Sequence, residues 1–313
     1  MADLNVNSIG DASGGTTATV NGFTPSVSNM AGRNRIINGG FDVWQRSAGP
    51  VTGGGYTTVD RWLFPSSGEA SQRVTNDRDS SFPFALQVTA DSTGYGIIAQ
   101  RIEDVRTLSG GTATLSFWAK SPTTGVFRCF IEQNFGSGGS ANVTILDNAS
   151  QFSINAANTW QQFTLTVTMP SVSGKTIGAS NFVNVGMGPN SGTANRVMTF
   201  SEVQLEAGSV ATPFEHRQYG QELALCQRYY YEVAVRSRQF TTAAGQYIRP
   251  IIVFPSTMTY APTFVWVLIT EGGITYNGGN DQSDSSSYGI DMRSTGTSSS
   301  AYCYGTAKFS AEL

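Results

Sequence analysis

Residues 203–230 change their periodicity twice within one short stretch. Val203-Gln204-Leu205-Glu206-Ala207-Gly208 alternates like a strand and stops at a glycine. Ala211-Thr212-Pro213-Phe214 carries a proline and no repeat, which reads as a linker. Gln221 to Tyr230 then places Leu223, Cys226 and Tyr230 three and four residues apart, the spacing of a helix face. No other stretch has that spacing so clearly, so the chain is predicted to be two β-rich bodies joined by a linker and one short helix.

The first body is predicted over residues 34–210. Phe163-Thr164-Leu165-Thr166-Val167-Thr168-Met169 alternates apolar with hydroxyl, as a half-buried antiparallel strand does. Leu86-Gln87-Val88-Thr89-Ala90 has the same rhythm, and Gly, Ser and Asn clusters punctuate the rest. Many short strands between turn signals indicate a β-sandwich. Trp118 faces opposite Phe117, so one of the two must approach a surface or a second layer.

Residues 211–228 are assigned to the linker and helix, and 229–313 to a smaller β domain. In that domain Tyr247–Phe254 and Phe264–Ile269 are strand-like, and 277–300 is nearly all polar, with Tyr288, Ile290 and Met292 at alternate positions. The last strand sets small Ala301, Cys303, Gly305 and Ala307 against large Tyr302, Tyr304, Thr306 and Lys308. Few aliphatics are available for a core, so packing on sister copies would help it. Residues 1–33 hold only widely spaced Val6, Ile9, Val20, Phe23 and Val27, with a hairpin signal at Asn21-Gly22. They read as an extended arm ordered by a partner, or as a disordered tail.

Composition excludes several classes. The net charge of −3 leaves no electrostatic footprint for nucleic acid. The longest apolar run, Phe264 to Ile269, is far below a membrane span, and Met1 to Gly10 lacks the apolar core of a signal peptide. The three cysteines, Cys129, Cys226 and Cys303, form no CxxC pair and sit among apolar neighbours, as buried residues of a chain folded in a reducing cytoplasm. Only 13% of residues are charged, against about 25% ordinarily. A surface wetted by hydroxyls and amides suits neutral polar ligands such as sugars, and equally suits plain β-sheet habit.

Several segments resemble one family. "QLEAGSVATPFEHRQYGQELALCQRYY", "NRIINGGFDVWQR", "YTTVDRW", "LSFWAKSPTTGVF" and the ending "AKFSAEL" are similar to segments of bacteriophage tail fibres and related virion appendages, of the marine and cyanobacterial phage type. Leu4 to Ile9 with Asp11 to Gly15 resembles the virion-proximal start of such fibres. Asn38-Gly39-Gly40-Phe41-Asp42 and Glu202-Val203-Gln204-Leu205-Glu206 resemble the two ends of jelly-roll carbohydrate-binding modules. The resemblance implies an all-β chain: a jelly-roll-like sandwich, a short helix, a smaller C-terminal β domain and an extended N-terminal arm. It implies a homotrimer in the virion, made in the host cytoplasm, with the arm on other virion proteins and a host cell-surface glycan as ligand. A head fibre or capsid decoration protein is the alternative, and a capsule-degrading tailspike-type enzyme the second. Asp42 and Glu202, with a carbonyl near Gly39, are the positions the resemblance offers to calcium, which wants six to eight oxygens. Two side chains fall short of that, and neither a metal nor a cofactor is called for.

Catalysis finds no frame in the sequence. His216 is the single histidine and sits in the linker. Ser173-Gly174-Lys175-Thr176 fails as a phosphate loop because Met169 stands where the first glycine belongs. Glu202 and Glu206 on one strand would lie about 13 Å apart, whereas glycosidase carboxylates need roughly 5 to 9.5 Å. Aromatics are the remaining chemistry. Trp44, Trp62, Trp118, Trp160 and Trp266 read mostly as core or interface. Tyr288, Tyr302 and Tyr304, with the most polar neighbours, are the candidate glycan-stacking residues, and Leu223, Cys226 and Tyr230 the candidate oligomer contact. Arg236 and Arg238 read as a solvated strand face.

Overall fold

The computed structural model describes residues 32–146, 151–189, 194–241, 243–248, 250–272, 274–279, 285–294 and 298–313. Apart from Gly32 and Arg33, the expected arm over 1–33 lies outside them. The described chain is all-β with one α-helix, and it divides into two compact units. No described helix is long and apolar enough to cross a membrane.

The first unit comprises residues up to Asp42, Ala48–Thr57 and Trp62–His216. Its strands are β1 (Val51–Thr52), β2 (Ala70–Thr75), β3 (Phe84–Thr89), β4 (Ile98–Glu103), β5 (Thr112–Lys120), β6 (Gly125–Asn134), β7 (Val143–Leu146), β8 (Gln151–Ile154), β9 (Gln161–Thr168), β10 (Phe182–Gly188) and β11 (Val197–Ala207). They form a jelly-roll-like sandwich of two antiparallel sheets. One runs β1-β2-β3-β11-β5-β9; the other runs β4-β10-β6-β7, with β8 also on β6. The alternation of β9 sets the register: Phe163, Leu165 and Val167 pair with Phe117, Leu115 and Ala113 and turn inward, while the threonines face out. Phe117, Phe163 and Phe200 from one sheet meet Phe127 and Phe152 from the other. The Phe152 and Phe163 ring centroids are 4.6 Å apart. These rings interlock the two sheets, and aromatic side chains of this size bury large apolar areas.

The two ends of the sandwich are laced together. Arg35 N donates to Leu205 O at 2.8 Å and Val203 N to Gly39 O at 2.9 Å. Asn34 donates through Nδ2 to Val203 O and accepts from Leu205 N through Oδ1. Gly39 is required here, since a Cβ would lie 2.1 Å from Val203 O. Trp62 Nε1 closes the turn on Asn38 O at 3.0 Å, with its ring beside Phe41. A bulge between Ser201 and Gln204 lets β11 change register here. The linker segment is held by its own polar network. Glu206 accepts from Thr212 N and Oγ1, Gln204 Oε1 accepts from Glu215 N, and the Glu215 carboxylate accepts from Gly32 N and Asn34 N. His216 packs edge-on against Phe82, 5.0 Å between centroids.

The second unit comprises Val43–Ser47, Thr58–Arg61 and Arg217–Leu313. After helix α1 (Tyr219–Gln227) come β12 (Tyr230–Thr241), β13 (Tyr247–Ile248), β14 (Ile251–Val253), β15 (Thr263–Gly272), β16 (Ile274–Gly279), β17 (Ser287–Ser294) and β18 (Ser298–Ser310). One sheet is β12-β18-β15; the other centres on β17, paired with β13, β14 and β16. The two-sided last strand has a physical outcome. Cys303, Gly305 and Ala307 turn inward, and at Gly305 an added Cβ would sit 2.4 Å from the Trp266 ring, which fills the space. With few aliphatics to bury, this core is aromatic: Tyr231, Phe254, Phe264, Tyr288 and Phe309 pack ring on ring.

A buried ionic clasp completes the second unit. Asp60 accepts from Gln45 N at 2.6 Å, Gln45 Nε2 at 2.9 Å and Arg46 Nη1 at 3.3 Å. The penultimate Glu312 accepts from Arg46 Nη2 at 2.9 Å and from Arg61 Nη1. Arg61 lies 3.3 Å over the Tyr229 ring and Arg46 3.8 Å over Tyr230. The "DVWQR", "VDR", "QRYY" and "AEL" segments therefore build one site that no single stretch of sequence displays.

Candidate functional site

The outward face of β12 and β18 carries the candidate site. Register places Arg236 opposite Tyr304 and Arg238 opposite Tyr302. Arg236 and Arg238 on β12, and Tyr302 and Tyr304 on β18, point away from the core, because Val235, Cys303 and Ala307 point into it. The Arg236 guanidinium lies 4.7 Å from the Tyr304 ring centroid. Tyr302 is 41% exposed. Together these side chains border an open concavity of about 420 Å³. Its lining contains no carboxylate, and the Cys303 side chain turns inward. Guanidinium forks match the paired oxygens of carboxylate, sulfate or phosphate groups. A half-exposed tyrosine ring beside them offers an apolar face to a sugar. The arrangement can bind; it holds no group placed for acid–base or nucleophilic chemistry.

Tyr288 does not belong to this face. It is 8% exposed, and its ring stacks on Phe264 at 4.4 Å and leans on Phe309 at 5.2 Å. Polar neighbours in sequence suggested a surface residue, but strand alternation turns Tyr288, Ile290 and Met292 inward together. Its phenol is raised above the usual range by burial. The expected contact Leu223, Cys226 and Tyr230 is likewise corrected. Cys226 and Tyr230 are buried within their own unit, and only Leu223 keeps partial exposure. Tyr230 has left the helix and begins β12, where its hydroxyl donates to Glu232 Oε2 at 2.7 Å. Burial raises the Cys226 thiol well above its ordinary value. Of the two acids offered to calcium, Glu202 is taken by Arg78. The described residues contain no group of three or more His, Cys, Asp and Glu placed for a metal.

In sequence Arg236 and Arg238 read only as a solvated strand face, because each is ordinary alone. The signal was their spacing of two, matched by the spacing of two between Tyr302 and Tyr304. A second group of outward aromatics, half-buried, lies on the sandwich. Trp118 points outward from β5 while Phe117 is buried. Arg78 lies 4.5 Å from the Trp118 ring. Trp160 Nε1 donates to Asp77 Oδ1 at 2.8 Å, and Lys120 Nζ donates to the same carboxylate at 2.5 Å and 2.7 Å. Those bonds hold the Asp77 carboxyl below the usual range, the Lys120 bond first.

No family model matches this chain, and no curated protein matches it. Among solved structures it is similar to the CBM22-2 xylan-binding domain from Paenibacillus barcinonensis Xyn10C, at 18% identity over 47% of this chain and 91% of that one, with a TM-score of 0.36. It is also similar to the C-terminal family 22 carbohydrate binding module of Clostridium thermocellum Xyn10B, at 14% identity over 56% and 98%, TM-score 0.37. The enzymatically active domain of bacteriophage CBA120 tailspike protein 4 is similar at 16% identity over 56% of this chain and 21% of that one, TM-score 0.34.

Proposed function

We propose that the protein is a phage virion subunit of the tail fibre type, which attaches the particle to a host-surface glycan by non-covalent binding. The family-like segments support the virion role. The glycan role rests on one observation, the outward face on which Arg236 and Arg238 alternate across two strands with Tyr304 and Tyr302. Two guanidinium groups beside an exposed ring suit a saccharide that bears an acidic group. In this reading residues 1–33 engage other virion proteins, the chain works as a homotrimer, and no covalent step is involved. A second reading places the sugar on the sandwich, favoured by the outward Trp118 and by Trp160 beside Asp77 and Lys120.

The test is binding of the full chain to host cells and to a glycan array, with Arg236→Ala, Tyr302→Ala and Trp160→Ala variants. Loss of binding of tenfold or more in the first two, with Trp160→Ala unchanged, is the expected result. Loss confined to Trp160→Ala moves the site to the sandwich. Binding to no glycan by the wild type overturns the attachment role.

A further inference from the structure

Four cross-strand rows follow one another along the outward face of β12 and β18. Arg238 stands opposite Tyr302, Arg236 opposite Tyr304, Ala234 opposite Thr306 and Glu232 opposite Lys308. The rows differ in charge. In the fourth, Lys308 Nζ lies 3.4 Å from Glu232 Oε2, which also accepts from the Tyr230 hydroxyl, so that row is neutral and its charges face each other. The third row is uncharged, and its Ala234 is exposed. Positive charge is therefore confined to the first two rows. Both arginines there are exposed, and among the described residues no carboxylate pairs with Arg236. The concavity lies between these two rows, with the paired Ser237 and Cys303 beneath it.

Arg236 and Arg238 are two residues apart on one strand face, which sets their Cα atoms about 7 Å apart. The Tyr304 ring, 4.7 Å from the Arg236 guanidinium, restrains that side chain through a cation–π contact. We propose, on the reading of this face as the glycan site, that it selects saccharides with acidic groups on successive units, two of them about 7 Å apart along β12. A single acid satisfies one guanidinium fork and leaves the other facing a neutral sugar. Two acids at the spacing of the strand satisfy both. A third gains nothing, because the next row is uncharged and the row after it is closed by its own ion pair. Carboxylate and sulfate share the paired oxygens that a fork reads, so spacing, rather than the kind of acid, defines the ligand class. The exposed Tyr302 ring is left for the uncharged part of the sugar.

The experiment titrates the full chain by calorimetry with two polyacids, hexagalacturonate and maltohexaose sulfate. Their one-acid units, galacturonic acid and glucose sulfate, and the neutral methyl ester of hexagalacturonate are the comparisons. At least one polyacid should bind about ten- to hundredfold tighter than its one-acid unit, the gain expected from a second charge-assisted contact. The methyl ester should bind no better than a one-acid unit. Arg236→Ala and Arg238→Ala, both at exposed positions, should each lower polyacid affinity to that of the one-acid unit. Arg106→Ala, exposed on the sandwich beside Asp104, should bind as the wild type does. Equal affinity for one acid and for many, binding of neither polyacid, or unchanged binding in either β12 variant overturns the proposal. An equal loss in Arg106→Ala shows general charge attraction and overturns it too. Host-cell binding that persists through any of these results leaves the attachment role standing, so the two readings fail separately.

Discussion

Arg46 and Glu312 stand 266 residues apart in the chain and meet at 2.9 Å, a guanidinium from an early motif on the penultimate carboxylate. Arg61, 1% exposed, uses the same carboxylate. Removing one member of a buried ion pair leaves the other charge uncompensated, typically about 3–5 kcal/mol. Glu312→Gln should therefore destabilise the second unit by about that amount, lowering its urea midpoint while leaving the sandwich transition in place.

Asp60 belongs to the same clasp, and its titration has a sign that can be worked out. Burial raises its carboxyl from 3.8 to about 6, against the opposing pull of Arg46 and the Gln45 bonds. A raised carboxyl holds its proton more tightly folded than unfolded. Its contribution is thus fully present below about pH 4 and is lost as pH rises toward 6. At about 1.4 kcal/mol per pH unit the loss is about 3 kcal/mol. The stability of the wild type relative to Asp60→Asn should fall by that amount between pH 4 and 6 and stay level above. A flat difference across that window would show that Arg46 compensates the charge fully.

Much of the fold could be read from the sequence, because strand alternation is local. Phe163 to Met169 displays its buried face in its own letters, and so does the small face of the last strand. The site was readable only in part. Tyr302 and Tyr304 lie on a strand whose two faces differ in size, so their direction is evident. Tyr288 lies in a stretch so polar that composition hid the inward row it shares with Ile290 and Met292. The clasp was out of reach for another reason: Arg46, Asp60, Arg61 and Glu312 are brought together only by tertiary folding. Cys226 and Tyr230 misled because helical spacing gives a shared face but does not say what covers it.

Gly39 offers a sharp test of how the sandwich closes. A methyl group there would sit 2.1 Å from Val203 O, so the backbone must part. The lacing of Asn34, Arg35 and Gly39 to β11 would open with it. Gly39→Ala should cost about 3 kcal/mol or more, in the range of overpacked cores. Gly32→Ala, where nothing lies within 4 Å but φ is +65°, should cost no more than about 1 kcal/mol.

Tyr288 and Tyr302 should separate folding from binding. Tyr288→Ala removes a ring wedged against Phe264 and Phe309, and cavities of that kind cost about 3–5 kcal/mol. The second unit should then melt early, with binding lost as a consequence. Tyr302→Ala trims a half-exposed ring and should change the unfolding midpoint little while weakening attachment. Circular dichroism melts beside cell-binding curves make the comparison. Equal destabilisation by both would remove Tyr302 from the ligand face.

The proposed trimer needs an apolar surface, and of the residues first expected to supply it Cys226 and Tyr230 are buried and Leu223 is only partly exposed. Ile251 and Val253 do offer one: each is 72% exposed, both on the outer side of β14, paired with Gly289 and Ser287. Val265 and Val267 give a second exposed pair on the other sheet, at 56% and 44%. Covering such β-branched side chains is worth about 25 cal/mol per Å², and exposed strand pairs of this kind mark association surfaces. Mass measurement at micromolar concentration should give three chains for the wild type. Ile251→Lys with Val253→Lys should release monomers that keep the fold, since neither side chain contributes to the core. A change of Leu223 to Lys should leave the mass unaltered. A wild type that is monomeric would end the trimer proposal, and a double variant that remains trimeric would move the contact to another surface.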